Sequence, residues 1–422
     1  MTLIQGTMKI LLLSEYYYPE SVGAAIWVTQ LTQDLSEKGH RVTVITSFPN
    51  YPTGRILLGY HNRLADREHL GNIECIRTFT FATPSKSFVP RLISFATFCL
   101  SSIPGYLWWR RPADVVYAIL PPLPLGVSAW VIAVASGARL VVNVQDIYPD
   151  VAVALGYLRN RVVIRFFFAM ERWIYRRAAK VVVLSEGFRD NLVAKGVPES
   201  KIRIIPNWAD LDAIRPAERF SSFRSEAGAG VEDLLVVYSG GLTHNAELDT
   251  VLDAAAELRA EPIRFAIVGD GVRKDHLESK ARTLGLDNVK FFPFQPLERY
   301  TEVLTAADVT LVTLNSAATY VSVPSKIYKQ MAAARPIIAV TDRRGELRRL
   351  IEAARCGGWV VPGDCRGLAA LLRQAVAQRE AWDRMGWNGR EYVERYHSRR
   401  VCVAQIESVL EEACLSEDSV RC

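Results

Sequence analysis

LLVVYSGG, residues 234–241, is the stretch on which the fold turns. An unbroken run of Leu, Val and Tyr suits a strand buried on both faces, and Ser239-Gly240-Gly241 then lets the backbone come close to whatever lies beyond its end. The run restarts a grammar already used once. Earlier come KILLL (9–13), RVTVIT (41–46), DVVYAIL (114–120), RLVVNVQD (139–146), KVVVLS (180–185) and KIRIIP (201–206), each followed by a helical or loop segment. After it come RFAIVGDG (264–271), VKFFPF (289–294), VTLVTL (309–314), PIIAVT (336–341) and GGWVVPGD (357–364). Strands alternating with helices predict parallel α/β sheets. Between the two sets, NWADLDAIRPAERFSSF (207–223) is turn-rich and lacks a long apolar period, so it reads as a linker. The expectation is two tandem Rossmann-like domains, residues 1–208 and 209–395, with a helix and tail over 396–422. In such sheets ligands bind at the carboxyl ends of the strands, here expected in an interdomain cleft.

The chain has 422 residues, half of them hydrophobic, which is too long for one ordinary core and too apolar for disorder. Its seven cysteines are odd in number and scattered without a CxxC pair, which favours a reducing cytoplasm over a disulfide scaffold or zinc site. The only apolar run near the start is too short for a signal-peptide core. Charge is uneven: residues 1–210 carry 23 Lys/Arg against 15 Asp/Glu, and residues 91–180 carry 11 against 4. That basic stretch is interleaved with apolar runs, which points to an anionic lipid surface and away from nucleic acid. LISFATFCLSSIPGYLWW (92–109) has 18 uncharged residues interrupted by Pro104-Gly105, and RNRVVIRFFFAMERWIYRRAAK (159–180) is basic and aromatic at helical spacing. Both read as candidate interfacial segments.

The chemistry-bearing motifs narrow by elimination. GDGVRK (269–274) lacks the third glycine of a dinucleotide fingerprint, and there is no GxxxxGK[ST] phosphate loop, so no cofactor is expected. Asp210 and Asp212 form a DxD pair in the linker, a pattern too short to support a metal site, and none is expected. What remains suits a diphosphate and a sugar. Gly240 and Gly241 allow close approach, Thr243, His244 and Asn245 add polar groups, and Pro324-Ser325-Lys326 opens a helix with Ser325 as its cap. Lys326 and Lys329 stand at the head of that helix, where their ammonium groups suit an anion.

These motifs together resemble the GT-B glycosyltransferases of family 4, in particular the colanic-acid and O-antigen type that includes fucosamine transferases. The resemblance is carried by YYYPESVGAA (16–25), EKGHRVTVITSFPNYPTG (37–54), NVQDIYPDVAVALG (143–156), LSEGFRDNLVAKGVPESKIRIIPNW (184–208), IVGDG (267–271), NVKFFPFQP (288–296) and VPSKIYKQMAAARPIIAV (323–340). It implies an N-terminal acceptor domain, a C-terminal nucleotide-sugar domain and a final helix crossing back to the first. It also implies a retaining, metal-independent transfer from a nucleoside-diphosphate sugar, a UDP-linked hexose or N-acetylhexosamine. The acceptor would be a polyprenyl-diphosphate-linked saccharide, at the cytoplasmic face of the cell membrane.

Residue by residue, the resemblance places Asp146 at the reaction centre, with Tyr148, Asp150 and Gly23 on the acceptor side. Asn207, Gly269 and Phe294 join Gly240, Gly241, His244, Asn245, Ser325, Lys326 and Lys329 on the donor side. The chain departs from the family where an Arg and a Lys often stand, at Gly241 and Asn245, and where a Glu pair often stands, at Val321 and Lys329. The expectation is that positive charge has moved to Lys326 and Lys329. The alternatives are a nucleotide-sugar-binding protein without turnover and a sugar-nucleotide epimerase or dehydrogenase, the last disfavoured by the missing fingerprint.

Overall fold

The computed structural model describes residues 6–20, 23–85, 88–154, 156–316 and 325–415. The chain divides into two compact units: Met1–Pro206 with Val403–Cys422, and Asn207–Cys402.

The first unit is built on an eight-stranded sheet. Its strands are β1 (Lys9–Leu13), β2 (Arg41–Ser47), β3 (Ala65–Leu70), β4 (Ile73–Thr78), β5 (Val115–Leu120), β6 (Arg139–Val144), β7 (Lys180–Val183) and β8 (Ile202–Ile204). They lie in the order β3-β4-β2-β1-β5-β6-β7-β8, all parallel except β3. The β3–β4 hairpin does not figure among the strands expected from the sequence. ADREHL is charged and half-exposed, as an edge strand that must resist further pairing should be. Its Glu68 accepts from the buried Arg77 at 2.6 Å, and the same guanidinium donates to the carbonyl of Tyr18 at 2.6 Å, tying the edge to the loop after β1.

Six helices flank this sheet: α1 (Ala24–Glu37), α2 (Phe88–Trp109), α3 (Leu125–Ser136), α4 (Asp150–Ala154), α5 (Arg161–Arg177) and α6 (Glu186–Ala194). By length and composition α2 could cross a membrane, yet one side of it packs inside the unit through Phe98, Ser102 and Tyr106. Its other side exposes Val89, Ile93, Leu100 and Trp108. The α5 helix starts where the Asn160 side chain accepts from the backbone N–H of Val162 and Val163. It buries only Glu171, Ile174 and Tyr175 and leaves Val162 and Phe166 exposed among its arginines. The final helix, Arg399–Leu415, joins this unit from Val403. There Glu407 meets Lys38 and His40, while Glu412 meets Lys180 and Arg203.

The second unit carries β9 (Leu234–Ser239), β10 (Ile263–Val268), β11 (Val289–Phe292), β12 (Val309–Thr313), β13 (Ile337–Val340) and β14 (Gly357–Val360). The order is β11-β10-β9-β12-β13-β14, parallel throughout. Side chains alternate across β9, so Leu234, Val236 and Tyr238 enter one core cluster and Leu235 and Val237 another. Burial on both faces is why the stretch contains no polar residue before Ser239.

The Lys195 ammonium is a test of how the first unit holds α4, α5 and α6 together. It lies 2.6 Å from Asp150 and 2.8 Å from Glu171, whose carboxyl is buried and pushed up to about 7 by that burial. Lys195→Met leaves Glu171 without its cation, and truncating one partner of a buried pair costs about 3–5 kcal/mol. Because protonation relieves a buried carboxylate, the loss in urea-unfolding stability is expected to be larger at pH 8 than at pH 6. Equal losses at both pH values would show that Glu171 is neutral throughout.

Candidate active site

Sequence order reverses between β9 and β12 in the second unit, so the loops after these two strands diverge and open a crevice at their carboxyl ends. Lys326 sits in this crevice. Its Nζ lies 3.9 Å from the centroid of the Tyr238 ring at the end of β9. A Cβ built on Gly240 would stand 3.0 Å from the same Nζ, so glycine there makes room for the lysine. A Cβ on Gly269 would lie 1.9 Å from the Gly240 carbonyl oxygen, which explains the glycine ending β10. Burial draws the Lys326 ammonium down to about 7. Among the described residues it forms no ion pair, and the residue keeps part of its surface open.

The other donor-side expectations distribute unevenly. The Gly241 carbonyl accepts from the Tyr238 hydroxyl at 3.0 Å. His244 is exposed and Asn245 half-buried, and their carbonyls accept from the Asn315 side chain and backbone, pinning the loop after β9 to the loop after β12. Phe294 is 58 % exposed, so it is not a core residue. The Asn207 backbone bonds the His397 ring. Lys329 points elsewhere than Lys326: its Nζ lies over the Tyr300 ring at 5.4 Å, its pKa is lowered by burial, and the charge of Asp210 opposes that shift. Ser325 corrects an expectation. It precedes the helix Lys326–Ala332 in an already helical conformation (φ −58°, ψ −17°), and its hydroxyl makes no capping bond. Pro324 and Val321 lie outside the described residues.

The DxD pair is engaged locally. Asp210 accepts from the backbone N–H of Asp212 and Ala213, while Asp212 pairs with Arg215 on the surface. Among the described residues no three His, Cys, Asp or Glu side chains converge as a metal site would require.

In the first unit the order reverses between β1 and β5. Asp146 lies two residues beyond β6, half-buried, with its carboxyl pushed up to about 7 by burial. It is not a helix cap, since α4 begins only at Asp150. Tyr148 follows it, and its hydroxyl is held un-ionised first by burial and then by the charge of Asp146. The Asp150 carboxylate is taken up by Lys195 and by the Asn191 amide, which gives it a structural employment before any ligand arrives. Gly23 precedes α1 at φ 54°, where a side chain would be strained.

Two carboxyls that the sequence reading passed over stand in the loop after β1. Glu15 is 3 % exposed, and its Oε2 has no partner among the described residues. Burial and the neighbouring Glu20 push its pKa up to about 8, against the pull of Arg91. Glu20 accepts from the backbone N–H of Tyr17, Asn50 and Tyr51 and so stitches two loops together. The sequence signal was a lone acid directly after the apolar strand KILLL, where burial is hard to escape.

Comparisons with known proteins place the two halves of the chain in known families. Residues 22–208 match the glycosyl transferase 4-like domain and residues 220–392 match the glycosyl transferases group 1 domain. The chain is 28% identical over 379 residues to an Escherichia coli (strain K12) protein named as a colanic acid biosynthesis glycosyl transferase, WcaI, spanning 87% of this chain and 92% of that one. Sucrose-phosphate synthase from Thermosynechococcus elongatus has the same fold, with a TM-score of 0.74 at 18% identity over 96% of this chain and 98% of that one. Anabaena HepE in complex with UDP-glucose gives a TM-score of 0.69 at 16% identity over 96% of this chain and 100% of that one.

The state of Lys326 yields a titration test. In the empty protein it loses its proton as the pH passes about 7. A bound diphosphate favours the ammonium, so binding above that pH takes up a proton and UDP affinity falls between pH 7 and 9, while uridine affinity stays level. Lys326→Ala should abolish the uptake and weaken UDP roughly ten- to a hundredfold, the scale of one charge-assisted contact. Calorimetry in two buffers of different ionisation enthalpy measures the uptake; equal losses for UDP and uridine would remove Lys326 from the phosphates.

Proposed function

The chain belongs to the glycosyltransferases of GT-B fold and family 4 type, and on that premise we propose that it moves a sugar from a nucleoside-diphosphate donor onto a lipid-linked acceptor. The donor we favour is a UDP-linked hexose or N-acetylhexosamine, transferred with retention of configuration and without a metal. The acceptor we favour is a polyprenyl-diphosphate-linked saccharide at the inner face of the cell membrane, in the synthesis of a surface polysaccharide. The observation that carries the donor reading is Lys326, held beside Gly240 at the switch point of the second sheet.

In the reaction, the bond between the sugar's anomeric carbon and the diphosphate breaks while a bond from the acceptor oxygen forms on the same face of the sugar, as retention requires. Negative charge builds on the leaving diphosphate. Lys326, charged once that anion is bound, stabilises it, while Gly240 and Gly241 let the backbone come close to it. The acceptor hydroxyl loses its proton, and Asp146 is the carboxylate proposed to orient that hydroxyl and take the proton. A carboxyl at about 7 is a better base than one at its ordinary value and is still ionised in half the molecules at neutral pH. The membrane reading rests on the exposed apolar residues of α2 and on α5, whose Val162 and Phe166 stand among arginines.

Asp146→Asn should lower turnover at least a hundredfold with UDP affinity unchanged. In the wild type kcat at saturating donor, where Lys326 is already paired, should rise with pH through about 7, since the ionised form is the base, and the variant should lose that limb. Normal turnover in folded Asp146→Asn would show that the carboxylate is not used. A donor that binds and is never consumed, with any acceptor, would make the chain a nucleotide-sugar-binding protein.

Because Lys326 takes the cation's place and Asp210 is occupied by backbone N–H groups, transfer should continue in EDTA. Activity lost on chelation and restored by Mg²⁺ or Mn²⁺ would return the Asp210–Asp212 segment to consideration.

A further inference from the structure

Between α2, α5 and the loops after β5 and β6, the first unit holds a partly open pocket of about 160 Å³. Leu92, Phe95, Leu123, Leu158 and Phe167 supply apolar walls, and the sole charged side chain among its lining residues is Arg91. Arg91 is exposed and forms no ion pair among the described residues, although its charge is felt by Glu15, Tyr16 and Tyr148. Tyr148 also lines the cavity and stands two residues after Asp146, so the apolar space opens next to the proposed base. The same two helices expose Val89 and Ile93 of α2 and Val162 and Phe166 of α5.

A largely apolar pocket with one cation on its wall that has no ion pair among the described residues matches an amphiphile: hydrocarbon inside, an anionic head on the cation. Its size limits the chain count. A cavity of about 150 Å³ holds a group the size of benzene, so this one admits a single chain segment and not the paired chains of a phospholipid. We propose that it takes the head-proximal hydrocarbon of a single-chain prenyl phosphate or diphosphate, with the phosphate on Arg91, and thereby seats the acceptor beside Asp146. The proposal rests on the lipid-linked acceptor reading and gives that acceptor a place in the first unit.

The test uses the full chain with farnesyl diphosphate, inorganic pyrophosphate and farnesol as calorimetric probes. Farnesyl diphosphate should bind at least tenfold more tightly than either fragment, since each fragment keeps only one of the two contacts. Ala96→Phe, which puts a ring into the cavity from α2, and Arg91→Ala should each weaken it roughly tenfold or more, the scale of one lost contact. Neither should change UDP affinity. Circular dichroism confirms the fold of both variants. Farnesyl diphosphate binding that is unchanged in both folded variants overturns the cavity assignment. So does wild-type protein that binds phospholipid vesicles but ignores farnesyl diphosphate. Failure of the underlying reading looks different: sugar is then transferred to a lipid-free saccharide as fast as to its prenyl-diphosphate form. If the cavity alone is wrong, the prenyl form is preferred and Ala96→Phe retains that preference.

Discussion

A side chain at position 269 would drive its Cβ to 1.9 Å from the carbonyl oxygen of Gly240, and the second unit depends on that contact being permitted. Because residue 269 is glycine, the loops after β9 and β10 lie backbone against backbone. Gly271 extends the same seam, since a Cβ there would meet the Leu242 carbonyl oxygen at 2.5 Å. The loop after β9 is pinned on its other side by Asn315, whose amide donates to His244 at 2.7 Å and whose backbone donates to Asn245 at 2.9 Å. The result is a crevice in which Lys326 lies over the Tyr238 ring. A lysine held in this way is preorganised for an anion, because its position is fixed when the fold forms and not when the ligand arrives.

The first unit solves a related problem with carboxyls. Glu15, Asp146 and Glu171 are all pushed towards or above neutral pH by burial. Their neighbourhoods differ, and so do the consequences. Glu171 has Lys195 at 2.8 Å and serves packing. Glu15 has an orphaned oxygen and a second acid, Glu20, nearby, so its protonated form is the stable one at neutral pH. Asp146 has neither a cation nor a hydrogen bond to hold its charge among the described residues, and burial is the cause of its shift. A carboxyl in that position is available to a substrate hydroxyl, whereas the Asp150 carboxylate is already committed to Lys195 and Asn191.

The legible part of the fold was the part buried on both faces. LLVVYS, DVVYAIL and their counterparts carry the parallel-sheet pattern in their own composition, and each expected strand is present. ADREHL was illegible for the opposite reason: an edge strand is selected to look polar, and its partner Ile73–Thr78 is recognisable only once that edge is known. At the site, the glycines and Lys326 were readable because sterics and charge are local properties. Tyr238 as the surface beneath Lys326 was not, because it is 88 residues away in sequence and only the β9–β12 adjacency joins them. Ser325 was misread as a cap because residue type was taken as evidence for a conformation that the chain does not adopt. Lys329 was grouped with Lys326 by helical spacing, yet Tyr300 and Asp210 claim it.

Lys326 and Asp146 share one physical condition that bears on how the protein meets its substrates. Burial brings both to about 7, the lysine from above and the carboxyl from below. In the empty protein each can therefore shed its charge at small cost near neutral pH, and neither unit has to maintain an unpaired ion. On the proposed function, a bound diphosphate favours the protonated form of Lys326, which in the empty protein titrates at about 7. An acceptor hydroxyl gains from an ionised Asp146, which is the form that accepts its proton. Protonation thus follows occupancy. A more exposed lysine would bind anions without waiting for a donor, and a more exposed aspartate would hold its charge but be a weaker base. The desolvation that looks like a penalty in the empty fold is what leaves these two groups responsive to their ligands.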